Sequence, residues 1–193
     1  MKKIPTLFER VFDNHKIVDI LPNVYPGMEW VLEGDGIATE KLDGSCCCVM
    51  NGLLYKRYDA KKGKTPPSNA IPCDDPDPIT GHWPHWVPVD PTSSGDKWFW
   101  EAWCNTFDYL GDRPVDGTYE AIGPHFQTNS YNLYADILAE HGARHVQDLD
   151  RSFEGIKKYL EDNEIEGIVF WKDDEPQCKI KRTDFGFKWP PNK

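Results

Sequence analysis

No apolar run in this 193-residue chain approaches the roughly 20 residues that a membrane-spanning helix needs; the longest, such as Cys46–Met50 and Ile168–Trp171, fall far short. The opening Met-Lys-Lys-Ile-Pro is charged but has no apolar segment behind it, so no secretory signal is expected in it. The six cysteines, Cys46, Cys47, Cys48, Cys73, Cys104 and Cys178, include no C-x-x-C pair. A zinc centre is thereby disfavoured, and the expectation is reduced, buried thiols in a cytoplasmic setting. Neither an internal repeat nor a heptad run is present. Positive charge is also in short supply: 22 Lys and Arg stand against 32 Asp and Glu, a net charge of −10. Averaged over the chain, that balance favours solubility and repels nucleic acid. What is present, 39% hydrophobic and 13% aromatic residues, excludes a disordered tail. The length fits one domain, residues 1–193, with its own core.

The clearest local signal is Asn51-Gly52 between Ser45–Met50 and Leu53–Tyr58, a hairpin whose two turn positions need positive φ. A two-residue loop pairs residues whose numbers sum to 103, which sets Arg57 opposite Cys46, beside Gly44-Ser45. Pro5–Phe12, with Leu7, Phe8, Val11 and Phe12 on one side, predicts a short helix. Residues 64–96, rich in Pro, Asp, Gly and Ser, predict a long irregular insertion loop. Lys97–Cys104 (KWFWEAWC) predicts an aromatic strand. Asp116-Gly117 predicts a turn, with a strand over Thr118–Ile122 behind it. Tyr131–His141 and Phe153–Asn163 predict helices, the second capped by Asp150 or Ser152 with Phe153, Ile156, Tyr159 and Leu160 inward. Gly167–Trp171 and Gln177–Lys181 predict two closing strands around the acidic turn Asp173–Glu175. Many strands with few helices give an α+β class with largely antiparallel sheets.

Chemistry concentrates around Lys41-Leu42-Asp43-Gly44-Ser45. A K-x-D-G match arises by chance in roughly 5% of chains of this length, so its weight rests on context: a lysine at the mouth of a strand, with a glycine allowing close backbone approach, suits a fixed nucleophile. Lysine attacks only as the neutral amine, and nearby cations or desolvation favour that form. The chain supplies cations in Arg57 and in Lys179 and Lys181, which alternate with Cys178 and Ile180 and so share a strand face. A solvated strand face is the competing reading for those two lysines. Glu120 and Glu166 add carboxylates flush against apolar strands, ordinary for an edge strand but also suited to a ribose or a Mg²⁺ contact.

In order, the chain carries Lys41-Leu42-Asp43-Gly44, Arg57, Tyr119-Glu120-Ala121-Ile122-Gly123, Glu166-Gly167-Ile168-Val169 and Lys179-Ile180-Lys181. This set resembles the ordered motifs of the covalent nucleotidyltransferases, the polynucleotide ligases and mRNA capping enzymes. The wider strings ATEKLDGSCC (38–47) and GTYEAIGPHFQ (117–127) are similar to the small ATP-dependent 5′–3′ RNA ligases. The resemblance implies an ATP-grasp-like nucleotidyltransferase domain of antiparallel sheets flanked by helices. It implies that Lys41 takes AMP from ATP as a lysyl-AMP phosphoramidate, passes it to the 5′-phosphate of an RNA end, and that a 3′-hydroxyl then displaces AMP. Arg57 would contact ribose or phosphate and Glu120 the ribose hydroxyls. Glu166 would hold Mg²⁺ (or Mn²⁺) through water, with Asp43 orienting the metal's water shell. Lys179 and Lys181 would neutralise the α-phosphate and, with the metal, favour the neutral amine of Lys41. Glu40 would contact the adenine, and Phe126 is the candidate for stacking on it, with Trp98, Trp100 and Phe170 as rivals.

Only 12 residues follow Lys181, where the larger ligases and capping enzymes continue into an OB-fold or other domain. The expectation is therefore no OB-fold, which disfavours DNA nick sealing and GTP-dependent capping as alternatives. A non-catalytic RNA-end-binding module is a further alternative, to which a retained nucleophile is superfluous. Expected partners are RNA ends in a repair-type reaction; no membrane and no partner protein is indicated. His82 and His85 form no metal pair without further ligands, and Trp83 and Trp86 either pin the loop to the core or stack on RNA bases. His125 reads equally as a phosphate contact or a satisfied loop histidine. The charge is also uneven: Lys56–Lys64 holds five cations and one anion, and Lys179–Arg182 adds three more cations, a basic strip on an acidic body.

Overall fold

The computed structural model describes residues 2–14, 16–78 and 80–191. Among them the chain is α+β, with largely antiparallel sheets and two α-helices. No helix of the described residues is long and apolar enough to cross a membrane. The chain divides into two compact units, Met1–Lys3 with Asp43–His141, and Ile4–Leu42 with Gly142–Lys193. It passes from the second to the first between Leu42 and Asp43, directly after the Lys41 strand, and returns between His141 and Gly142.

The first unit is built on the hairpin that Asn51-Gly52 dictates. Strands β4 (Ser45–Met50) and β5 (Leu53–Ala60) pair with Cys47 opposite Lys56 and Cys48 opposite Tyr55, the predicted register, and both turn residues have positive φ, 52° and 69°. Beyond β5 lie β7 (Trp83–Pro88) and the short β6 (Ile71–Pro72); beyond β4 lie β8 (Gly117–Ile122) and β9 (Ile137–Glu140). The six-stranded order is β6-β7-β5-β4-β8-β9. The predicted irregular insertion thus contains two strands. Its tryptophans serve packing: Trp86 is buried, and Trp83 donates its indole N–H to Asp74 O at 2.8 Å. His85 is also buried, its Nδ1 2.9 Å from Trp83 O.

Helix α1 (Lys97–Leu110) replaces the predicted strand over 97–104. The aromatic-rich composition points to β structure, but Ala102, Trp103 and Thr106 are the residues that turn inward, a helical spacing. Gly111, at φ 70°, ends the helix in the left-handed conformation and its N–H bonds Phe107 O. Asp96 precedes α1 but does not cap it with its side chain, because its carboxylate takes the N–H of Asp90 and the Lys56 ammonium. The predicted helix over 131–141 is instead a run of turns, with Asn129 and Asn132 at positive φ, leading into β9. Asn tolerates that conformation at low cost and interrupts any helical run. The core of this unit comprises Cys47, Val49, Leu54, Ala102, Trp103, Tyr119, Ala121, Phe126 and Leu138.

The second unit holds a three-stranded sheet, order β11-β10-β3, of β3 (Ile37–Lys41), β10 (Gly167–Lys172) and β11 (Glu175–Lys181). Helix α2 (Phe153–Asp162) buries Ile156 and Leu160, and the Ser152 hydroxyl accepts the Gly155 N–H at 3.0 Å as its cap. Strands β1 (Phe8–Asp13) and β2 (Lys16–Val24) form a separate hairpin, so the predicted N-terminal helix is absent. Leu7 and Phe8 are buried while Phe12 is exposed, because the segment is recruited by backbone pairing: Leu7 N–H bonds Lys179 O and Lys179 N–H bonds Pro5 O.

Candidate active site

Sheet register assembles the first cluster, within the second unit. On β10, Gly167 faces Lys41 of β3 on one side and Lys181 of β11 on the other, so one cross-strand row carries both lysines. A side chain at Gly167 would run into the carbonyl of Ile180, which reserves this position for glycine. Glu166, immediately before the row and only 6% exposed, receives both cations: Lys41 Nζ at 2.5 Å on Oε2 and Lys181 Nζ at 2.9 Å on Oε1. Lys41 also donates to Leu42 O at 3.3 Å. Lys179 lies two residues back on β11, where Cys178 and Ile180 are fully buried and the two lysines are half-buried on the other face, as period two requires. Burial, then the charges of Lys41, Lys181 and Arg10, hold the Lys179 ammonium down at about 8, with Glu166 opposing. Glu40 accepts from Arg144 Nη1 at 3.1 Å, and its main-chain N–H bonds Arg144 O.

The second cluster lies in the first unit. Glu120 on β8 pairs across the sheet with Cys46 on β4 and Ala139 on β9. Its carboxylate meets His141 Nε2 at 2.9 Å, while His141 Nδ1 is buried without a hydrogen-bond partner. Burial pushes the Cys46 thiol up to about 12; the Glu120 charge adds to this and Arg57 opposes it, so both charges act on one thiol. Arg57 bonds Asp59 through Nε at 2.6 Å, with its guanidinium 6.0 Å from the centre of the Trp86 ring. Asp43 accepts from the Ser130 hydroxyl at 3.0 Å, and its N–H bonds the Tyr131 hydroxyl at 2.8 Å. Gly44 lies so close to β8 that a side chain would meet Ala121 O, Ile122 and Glu120.

Lys41, Glu166, Lys179 and Lys181 are brought together, as are Glu120 and Arg57 around Cys46. Phe126 lies in the core of the first unit, 5% exposed and edge-on to Phe99, with ring centres 5.1 Å apart. Phe170 is likewise fully buried. Trp98 stacks on His125, ring centres 3.3 Å apart, with Lys97 Nζ 4.2 Å from its ring. The sequence reading missed two histidine contacts. Helical periodicity puts His141 on a helix face, and only the β8–β9 register brings it to Glu120. His125 is clamped by Asp136, which accepts from its N–H at 3.0 Å and meets its Nδ1 at 2.7 Å. Among the described residues, two groups place ligand-type atoms within 4.8 Å of one another: Cys46, Glu120 and His141, and Glu101, His125 and Asp136.

No protein-family model matches the chain. It is similar to a curated protein named RNA ligase 1 from Rattus norvegicus, 25% identical over 230 residues that cover 81% of this chain and 69% of the rat protein. The Mus musculus protein of the same name is also 25% identical, over 226 residues covering 81% of this chain and 68% of its own length. These two similarities support a relationship to RNA ligases.

Proposed function

We propose that the chain is an ATP-dependent RNA ligase of nucleotidyltransferase type that carries AMP on Lys41 and joins 5′-phosphate and 3′-hydroxyl RNA ends. The observation that carries this reading is the Lys41–Glu166–Lys181 row with Lys179 beside it, an amine fixed at a strand end among further cations. The similarity to two proteins named RNA ligase 1 supports RNA as the substrate class. Phosphoryl transfer asks a protein chiefly for in-line positioning and charge neutralisation, and this cluster offers both.

The Lys41 amine would attack the α-phosphorus of ATP. A nitrogen–phosphorus bond forms, pyrophosphate leaves with the electrons of the broken P–O bond, and the ammonium proton goes to solvent. Lys179 and Lys181 flank the nucleophile and offset the charge on the α-phosphate. In the first unit, the same reading gives the ribose hydroxyls to Glu120, with His141 orienting its carboxylate, and a ribose or phosphate contact to Arg57.

The residues fit a magnesium ion. Glu166 is a nearly buried carboxylate whose two oxygens already hold two cations. Its neighbours are lysines, so a hard divalent cation suits the place only when phosphate oxygens arrive with it. Glu166 would hold the ion through water, and the ion would supply charge neutralisation at the transferred phosphate. In the structure Glu166 holds the Lys41 Nζ at 2.5 Å, and the attack would require the amine to leave that contact.

Incubation with Mg²⁺ and α-labelled ATP or GTP, followed by denaturation, tests the reading. Label from ATP should survive on the wild-type chain and be absent from Lys41→Ala. Chasing the adduct with 5′-phosphorylated RNA should move the label to RNA. Failure of both nucleotides to label would overturn the enzyme, and label on Lys41→Ala would overturn the lysine assignment.

A further inference from the structure

The N-terminal segment reaches the lysine cluster by a route that no sequence motif marks. Residues 5–7 run along β11 at Lys179, with main-chain bonds of 2.8 Å from Leu7 N–H and 3.0 Å to Pro5 O. Three residues on, Arg10 of β1 donates to Asp184 Oδ1 through Nε at 2.9 Å and Nη2 at 2.7 Å. The other oxygen of Asp184 accepts the main-chain N–H of Lys181 at 2.8 Å. Lys181 bonds Glu166, and Glu166 bonds Lys41. Arg10 is therefore the outer member of a continuous chain, Arg10–Asp184–Lys181–Glu166–Lys41. The Asp184 side chain is 1% exposed, whereas that of Arg10 keeps 23%, enough to meet a ligand from solvent.

Four cations, Lys41, Lys179, Lys181 and Arg10, thus gather with two carboxylates, Glu166 and Asp184. Like charges are held this close at a cost, and a polyanion is what relieves it. A phosphate joined to Lys41 is matched by Lys179 and Lys181. Arg10, whose Nε and Nη2 are turned to Asp184, keeps Nη1 to donate to a second phosphate group. We propose, resting on the ligase reading above, that Arg10 binds the β- and γ-phosphates of ATP and the pyrophosphate they become. Asp184 is its positioning residue, tying Arg10 to the strand that carries Lys181. The 5′-phosphate of an RNA end has the same chemistry. The ATP phosphates are favoured because Arg10 is coupled to the cations flanking the α-phosphate, from which the β-phosphate continues directly.

Arg10→Gln keeps an amide donor for Asp184 and removes the charge; Arg10→Lys keeps the charge. Calorimetry with inorganic pyrophosphate on the full chain should show binding about tenfold weaker in Arg10→Gln and mostly restored in Arg10→Lys. In parallel, lysyl-AMP formation from ATP should slow with a raised KM for ATP, while sealing of a pre-adenylated RNA, which carries no triphosphate, proceeds at the wild-type rate. Unchanged pyrophosphate binding in Arg10→Gln overturns the proposal. So does an equal loss of pre-adenylated sealing, which would assign Arg10 to the RNA phosphate. A wild-type chain that binds pyrophosphate through Arg10 yet forms no adduct would sink the ligase reading and leave the anion site standing. Should Arg10→Gln fail to fold, the double variant Arg10→Gln/Asp184→Asn removes both charges together and must show the same loss of pyrophosphate.

Discussion

At Lys179 the fold works against the ordinary behaviour of a side chain. Burial comes first, and the neighbouring charges of Lys41, Lys181 and Arg10 add to it, against Glu166 alone. Its ammonium is held at about 8, below the ordinary 10.5 that the unfolded chain would show. Between those two values the unfolded chain binds more protons than the native one. Stability contributed through Lys179 therefore rises as pH climbs from about 8 towards 10.5 and is lowest below about 8. Anion binding follows the opposite sign, because a bound phosphate prefers the charged lysine. Pyrophosphate binding at pH 8.5–9 should take up a proton, visible by calorimetry in buffers of different ionisation enthalpy, and weaken by up to about tenfold per pH unit above that range. Lys179→Gln should abolish the proton uptake; uptake that persists in this variant would place the titrating group elsewhere.

At the scale of elements, close approach between strands makes the glycine of Lys41-Leu42-Asp43-Gly44 indispensable. A Cβ at Gly44 would meet Ala121 O, with Ile122 Cγ2 at 2.8 Å and Glu120 Cγ at 2.9 Å. Gly44→Ala should lower stability by about 1–3 kcal/mol as β4 and β8 are pushed apart. Gly95→Ala, whose new Cβ would meet only Ser93 Oγ at 3.7 Å, should melt within a degree or two of wild type, about what a neutral surface change gives. Equal losses in the two variants by thermal melting would count against strand contact as the cause. The same elements show what the sequence makes legible. Asn51-Gly52 set the β4–β5 register, Ser152 marked the start of α2, and alternation on β11 put Lys179 and Lys181 on one face, because each signal is local. Helix α1 was hidden by the strand-like aromatics of KWFWEAWC, and its end at Gly111 was the available clue. The β1 segment shows helical spacing, yet backbone bonds to Lys179 from Pro5 and Leu7 draw it into sheet structure. Contacts such as Glu120–His141 and Arg10–Asp184 join residues 21 and 174 positions apart, and no periodicity reports them.

At the scale of the whole molecule, a net charge of −10 must be reconciled with the RNA substrate proposed above. Counting residues suggests two basic clusters, but the structure commits several of those cations internally. Lys56 pairs with Asp96, Arg57 with Asp59 and Lys181 with Glu166. Arg182 is buried, bonding the carbonyls of Leu160 in the last turn of α2, of Asn163 just after it, and of Lys188. Lys61, Lys62 and Lys64 are exposed together just beyond β5 and are the part of the basic strip that most readily meets a phosphate backbone. With about three such contacts on single-stranded RNA, log affinity should fall against log salt with a slope of about −2, or roughly twentyfold between 50 and 200 mM. Fluorescence anisotropy with a labelled single-stranded RNA measures this directly. Replacing Lys61, Lys62 and Lys64 with Gln should flatten the slope by about 2. It should leave formation of the lysyl-AMP adduct unchanged, because that step involves no RNA. A salt slope that survives the triple replacement would place the RNA track elsewhere on the acidic body.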